Sequence, residues 1–83
     1  MNYVKIKINN LIEFHDLILQ IMYLGYKTNF FIQDQYQNTS HFVEHFEVTY
    51  YLGANGIFAR LHILDQDMMY DKRIKEVLLE YLI

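Results

Sequence analysis

The groups in this 83-residue chain that could do chemistry are four histidines, a single serine and ten carboxylates. His41 and His45 would share a face of a helix. In the extended stretch they occupy, four residues span ~13 Å, too far to hold one ion. His45, Glu47 and His62 are the better cluster, because alternation puts all three on one face of two adjacent strands. Zinc needs three or four ligands converging at ~2 Å, and side chains standing side by side on a flat sheet do not converge that way. His62 with Glu47 could act as a general base, but a base needs a pocket that excludes water, and nothing in the sequence builds one. Ser40 precedes His41 directly, and neighbours on an extended chain point apart, so they are not a nucleophile and its base. Gly53-Ala54-Asn55-Gly56 has two glycines and precedes a strand rather than a helix, so it is no phosphate loop. The expectation is a non-enzyme with no catalytic residue, metal or cofactor.

What positions these groups is a β-hairpin running from Phe42 to Leu64. Phe42, Phe46, Val48, Tyr50 and Leu52, then Ile57, Ala59, Leu61 and Ile63, form one apolar face at period two. The other face carries Val43, His45, Glu47, Thr49, Tyr51, Phe58, Arg60, His62 and Leu64. Asn55-Gly56 is a strong hairpin signal, suited to a type I′ turn with positive φ at both residues. A two-residue turn there would pair Tyr51 with Arg60, Thr49 with His62 and Glu47 with Leu64. A loop of residues 53–56 would pair Tyr51 with Phe58, Thr49 with Arg60 and Glu47 with His62. The two registers differ by two, so both keep the same residues inside.

Around the hairpin, Tyr3–Ile8 alternates as a half-buried strand with Tyr3, Lys5 and Lys7 on its open side. Asn10 is the expected N-cap of a helix over Leu11–Leu24, with Glu13 at N3 and Gly25 just past the end. Its apolar arc exceeds the ~100° stripe that packing on a sheet needs. Ile12, Leu19 and Tyr23, with His15 between them, therefore form a second stripe. His15 is most simply a packed or interfacial histidine. Lys27–Gln33 reads as a strand. Residues 34–40 read as a polar loop with Tyr36 its one large side chain. Asp65 or Asp67 caps a last helix over Met68–Leu82, with Tyr70, Ile74, Val77, Leu78 and Tyr81 on its buried face and Asp71–Lys75 as an i, i+4 pair.

The order βαβββα predicts an α+β fold: a two-layer sandwich with a mainly antiparallel four-stranded sheet and both helices on one face. Strands two to four would form a meander. The first strand would sit at one edge, parallel to its neighbour because it arrives through a helical crossover. One domain over 1–83 is expected, since two would each be too small to bury a core. No apolar run approaches the ~20 residues of a membrane span, no signal peptide is evident, and the lack of cysteine fits a reducing cytoplasm.

Net charge is −3 with 53% hydrophobic residues, an excess that a partner or second subunit could cover. The open face, with Tyr51, Phe58, Arg60, His45, Glu47 and His62 of the hairpin and Tyr3 of the first strand, carries residue types favoured at protein–protein hot spots. RNA-binding sheets also expose aromatics, but surround them with basic residues. Here only Lys5, Lys7 and Arg60 stand against Glu47, which argues against nucleic acid. Richness in Ile, Asn, Lys, Tyr, Phe and Met, whose codons are A/T-rich, hints at an AT-rich bacterial or phage genome. In length, charge, lack of cysteine and element order the chain resembles the small inhibitors encoded by phages and mobile elements, of the anti-CRISPR kind. No motif carries that resemblance, so no functional residue follows from it. It implies inhibition without chemistry, by occupying a surface on a larger host protein or complex in the host cytoplasm. Partner-binding candidates are the open hairpin face, the helix stripe Ile12, His15, Leu19 and Tyr23, and Tyr36. The alternatives are a homodimeric regulatory or structural subunit joined through the first helix, and a small enzyme or ligand binder using His45, Glu47 and His62.

Overall fold

β1, Tyr3–Ile8, buries Ile6 and Ile8 and leaves Tyr3, Lys5 and Lys7 exposed. The computed structural model describes residues 2–30 and 45–83, the side chains of 29 and 30 excepted. Phe42, Val43, His41, Ser40, Tyr36, the loop 34–40 and the expected strand beyond residue 30 lie outside the described residues.

Helix α1 spans Leu11–Tyr23. Asn10 is extended at φ −155°, and its side-chain oxygen accepts the Glu13 backbone N–H at 2.9 Å. The return leg of the cap comes from one residue earlier, with Asn9 Nδ2 donating to Glu13 Oε2 at 3.4 Å. Gly25 ends the helix at φ +105°, donating its N–H to the Met22 carbonyl at 2.9 Å. Phe14, Leu17, Ile18 and Ile21 face inward.

β2 (Thr28–Phe30), β3 (Phe46–Gly53) and β4 (Gly56–Ile63) complete a sheet of order β1-β4-β3-β2. β1, β4 and β3 are its antiparallel body, and the short β2 adds to β3 in parallel. Two expectations are corrected here. β1 runs antiparallel to its neighbour, and strands two to four do not form a meander. The crossover through α1 does give β1 and β2 the same sense, but it carries the chain to the opposite edge of the sheet. The residues 31–45 between β2 and β3 exceed the dozen that a parallel connection needs.

The hairpin adopts the register in which Glu47 pairs with His62, Thr49 with Arg60 and Tyr51 with Phe58. Gly53 pairs with Gly56, so Ala54 and Asn55 make the turn. Positive φ occurs at Gly56 and not at Asn55, which rules out a type I′ turn on Asn55-Gly56. Gly56 instead pairs with Gly53 as the first residue of β4, and it lies so close to β1 that a Cβ there would stand 2.7 Å from the Ile8 carbonyl oxygen.

Ile6, Ile8, Phe46, Val48, Tyr50, Ile57, Ala59, Leu61 and Ile63 form one core with the buried side chains of the helices, which share that one face. Leu52 has the right parity but is 63% exposed. It stands at the hairpin tip, where β2 no longer flanks β3, since their pairing stops at Val48.

The expected last helix is three pieces: α2 (Gln66–Met69), α3 (Lys72–Leu78) and a 3-10 turn at Leu79–Tyr81. Asp65 caps the first, accepting the Met68 N–H at 3.1 Å. Asp71 caps the second, accepting the Arg73 N–H at 2.9 Å. An aspartate that can bond nearby N–H groups offers the backbone an alternative to helix, and here it breaks the run. Tyr70, at the break, is exposed, whereas Ile74 and Leu78 are buried as expected and Val77 and Tyr81 are half-buried. Leu82 then bridges to Ile6 of β1, antiparallel, on the side away from β4.

Asp71 pairs with Arg73 rather than Lys75. Arg73 Nε and Nη2 donate to its two oxygens at 3.1 and 2.7 Å, and the Tyr26 hydroxyl donates at 2.7 Å. The guanidinium first, then the phenol, hold the Asp71 carboxyl well below the usual carboxylate range, and Asp71 in turn pushes the Tyr26 hydroxyl up. A depressed carboxylate contributes stability above its unfolded value of ~3.9 and loses it as pH falls below that. Asp71→Asn keeps a capping side chain but no charge. The stability gap between parent and variant should be constant above about pH 5 and shrink as pH drops below about 4. Urea unfolding at several pH values reads this, and a gap independent of pH would refute the assignment.

Candidate functional site: the open face of the sheet

The outward residues of β1, β4 and β3 fall into a grid set by the strand register. Tyr3, His62 and Glu47 form one row, Lys5, Arg60 and Thr49 the next, and Lys7, Phe58 and Tyr51 the third. The described helices α1, α2 and α3 pack on the other side, and period two supplies every member.

Rings and charges interleave across the rows. Tyr3 stacks on the His62 imidazole at 4.4 Å between centroids and 25° between planes. His62 Nδ1 lies 3.4 Å from Glu47 Oε1. Arg60 crosses diagonally, its guanidinium carbon 5.1 Å above the Tyr3 ring. Phe58 stacks with Tyr51 at 5.6 Å and 18°, and Lys7 Nζ lies 5.8 Å from the Phe58 centroid. Such contacts contribute ~0.5–1 kcal/mol each when exposed, so they orient side chains more than they stabilise the fold. A shallow cleft of about 250 Å³ opens in the middle row, between Lys5, Thr49, Arg60, the Tyr51–Phe58 shelf and Ile83.

The cluster His45, Glu47, His62 is split. Glu47 and His62 meet, but His45 is used elsewhere. Its Nδ1 accepts the Lys27 N–H at 2.8 Å, its Nε2 is 3.8 Å from Asp65 Oδ2, and its ring meets Tyr26 edge-on at 5.5 Å. It ties the start of β3 to the chain before β2 and to the cap of α2. Among the described residues, no group of three His, Cys, Asp or Glu could hold a metal ion. The Glu47–His62 contact could orient an imidazole for proton transfer.

On α1, Ile12 and Tyr23 are 76% and 87% exposed, and Leu19 and His15 are exposed with them. This stripe lies on the outside of the helical layer, so it and the sheet face are separate surfaces. Tyr36 lies outside the described residues.

Sequence reasoning put Tyr3, Lys5 and Lys7 on the open face but did not give their neighbours across the sheet. Their alternation was visible, but their place beside Phe58, Arg60 and His62 depends on β1 pairing with β4. No helix among the described residues is long and apolar enough to cross a membrane. No family model, curated protein or solved structure matches the chain.

Proposed function

We propose that the chain is a non-enzymatic interaction module that docks through its open sheet face on a larger protein or complex, inhibiting it by occupation. The supporting observation is the grid itself: Tyr3, Tyr51, Phe58 and Arg60 lie together, held in place by stacking and cation–π contacts. Aromatics and arginine with little rotamer freedom left to lose are the side chains from which binding hot spots are built. The resemblance to phage-encoded inhibitors makes a cytoplasmic host defence complex the partner class to test first.

The test is capture of a defined complex by the tagged full chain. Tyr51→Ala together with Arg60→Ala should weaken capture at least a hundredfold, since truncating a hot spot costs about 2 kcal/mol or more. Both side chains are exposed, so the thermal midpoint should stay close to that of the parent. Undiminished capture by the double variant would discard the sheet face as the docking surface.

The uncovered apolar side chains of α1 favour a second reading, a homodimer through that helix. Leaving Ile12 wet forgoes about 1.5–3 kcal/mol that an interface would recover. Sedimentation of the parent and of Ile12→Ser with Tyr23→Ser decides it. A dimer that the double variant converts to monomer supports it, and a parent that stays monomeric at high micromolar concentration removes it.

A further inference from the structure

We infer that Lys5, Lys7 and Arg60 receive carboxylates of an acidic segment of the partner protein, seated in the cleft between Arg60, Thr49 and the Tyr51–Phe58 shelf. This rests on the docking surface proposed above and names the chemistry that the surface reads.

Lys5 and Arg60 are directly opposed across β1 and β4. Like charges at opposed positions destabilise a sheet, so the fold alone gives no reason for the pairing. No described carboxylate lies within ion-pair distance of either side chain, although Ile83 lines the same cleft. Among the described residues, Arg73 pairs with Asp71, and His45 and His62 lie beside Asp65 and Glu47; none of these contacts involves Lys5, Lys7 or Arg60. Glu47 is turned to His62. Arg60 and Lys7 rest instead on the faces of Tyr3 and Phe58. A ring face holds a cation in position while leaving its outward donors open to an acceptor. The cleft adds a hydroxyl from Thr49 and an apolar wall from Tyr51 and Phe58.

Charge decides which anion. The three cations stand together on one face of a chain whose net charge is −3. A nucleic-acid backbone would need a broad basic field, and the acidic remainder of this surface would repel it. A short run of carboxylates beside an aromatic or aliphatic residue needs only the local patch.

The test uses the full chain labelled for amide NMR and a glutamate-rich peptide containing one phenylalanine. Saturable shifts are expected at the amides of Lys5, Lys7, Thr49 and Arg60, weakening steeply as salt rises. Lys5→Gln with Arg60→Gln should weaken peptide binding about tenfold or more. The same variant should hold or raise the thermal midpoint, by about 1–5 °C, because an opposed like-charge pair has gone. A merely structural pair would lower it. Shifts absent or centred elsewhere, binding unchanged in the double variant, or an oligothymidylate that binds the same amides more tightly than the peptide would each overturn the inference. Failure of the docking surface is a separate result. It is read from Tyr51→Ala leaving capture intact, whereas loss of capture with Tyr51→Ala but not with Lys5→Gln and Arg60→Gln sinks the carboxylate assignment alone.

Discussion

Phe14→Ala is expected to cost about 3–5 kcal/mol, the range for removing a fully buried aromatic ring. Phe14 has no exposed surface and meets Tyr50 edge-on, 4.8 Å between centroids and 63° between planes. It is where α1 bears on the middle of β3, so its loss opens a cavity between the two layers. Collapse around it is hindered, because Leu17, Ile21, Phe46 and Leu61 in the same core are themselves fully buried. A domain of this size has a total stability of about 4–12 kcal/mol, so the variant would keep little or none of it. Urea unfolding followed by far-UV circular dichroism measures the loss. Phe14→Leu should cost much less, because most of the volume stays filled. It should also leave binding at the sheet face unaltered, since Phe14 lies behind the sheet. A Phe14→Ala variant within about 1 kcal/mol of the parent would mean that this layer contact is not where the stability resides.

Alternation and capping were legible in the chain; neighbourhood was not. Period two told which residues of β3 and β4 turn inward, and Phe46, Val48, Tyr50, Ile57, Ala59, Leu61 and Ile63 do so. Asn10, Gly25 and either Asp65 or Asp67 announced helix ends by local chemistry; the ends of α1 lie at the first two, and α2 starts after Asp65. Which strand stands beside which is decided by long-range burial that no local pattern carries. The antiparallel pairing of β1 with β4, and with it the opposition of Lys5 to Arg60, could therefore not be read. Asp71 shows the same limit within one residue. Its spacing to Lys75 was as good as any ion pair, yet Tyr26, forty-five positions away, and the nearby Arg73 take its oxygens and make it a cap. Parity alone makes His45 a partner-binding candidate on the open face, with a ligand or catalytic role only as an alternative. Its partners Lys27, Asp65 and Tyr26 give it a structural use instead.

Gly56→Ala should destabilise the chain by about 3 kcal/mol or more, far beyond the ~1 kcal/mol of an ordinary glycine replacement. Two independent terms add. At φ +144° the backbone is in a region that side-chain-bearing residues rarely adopt. A Cβ there would also stand 2.7 Å from the Ile8 carbonyl oxygen. That oxygen belongs to a paired strand and cannot turn aside as a side chain would. The other two glycines separate the terms. Gly25 has φ +105° but open space around it, so Gly25→Ala carries strain without collision and should cost about 1 kcal/mol. Gly53 has ordinary φ, and its added Cβ would press on the Phe58 ring at 2.9 Å. That ring can swing, so Gly53→Ala should disturb the Tyr51–Phe58 shelf and partner binding more than stability. Denaturation midpoints should therefore fall in the order Gly53→Ala, Gly25→Ala, Gly56→Ala, the last lowest by a wide margin. If Gly56→Ala is no worse than Gly25→Ala, β1 is not held against the hairpin as described. The cross-strand opposition of Lys5 and Arg60 would then go with it, because the contact at Gly56 is next to the Ile8–Ile57 pair that ends the β1–β4 ladder.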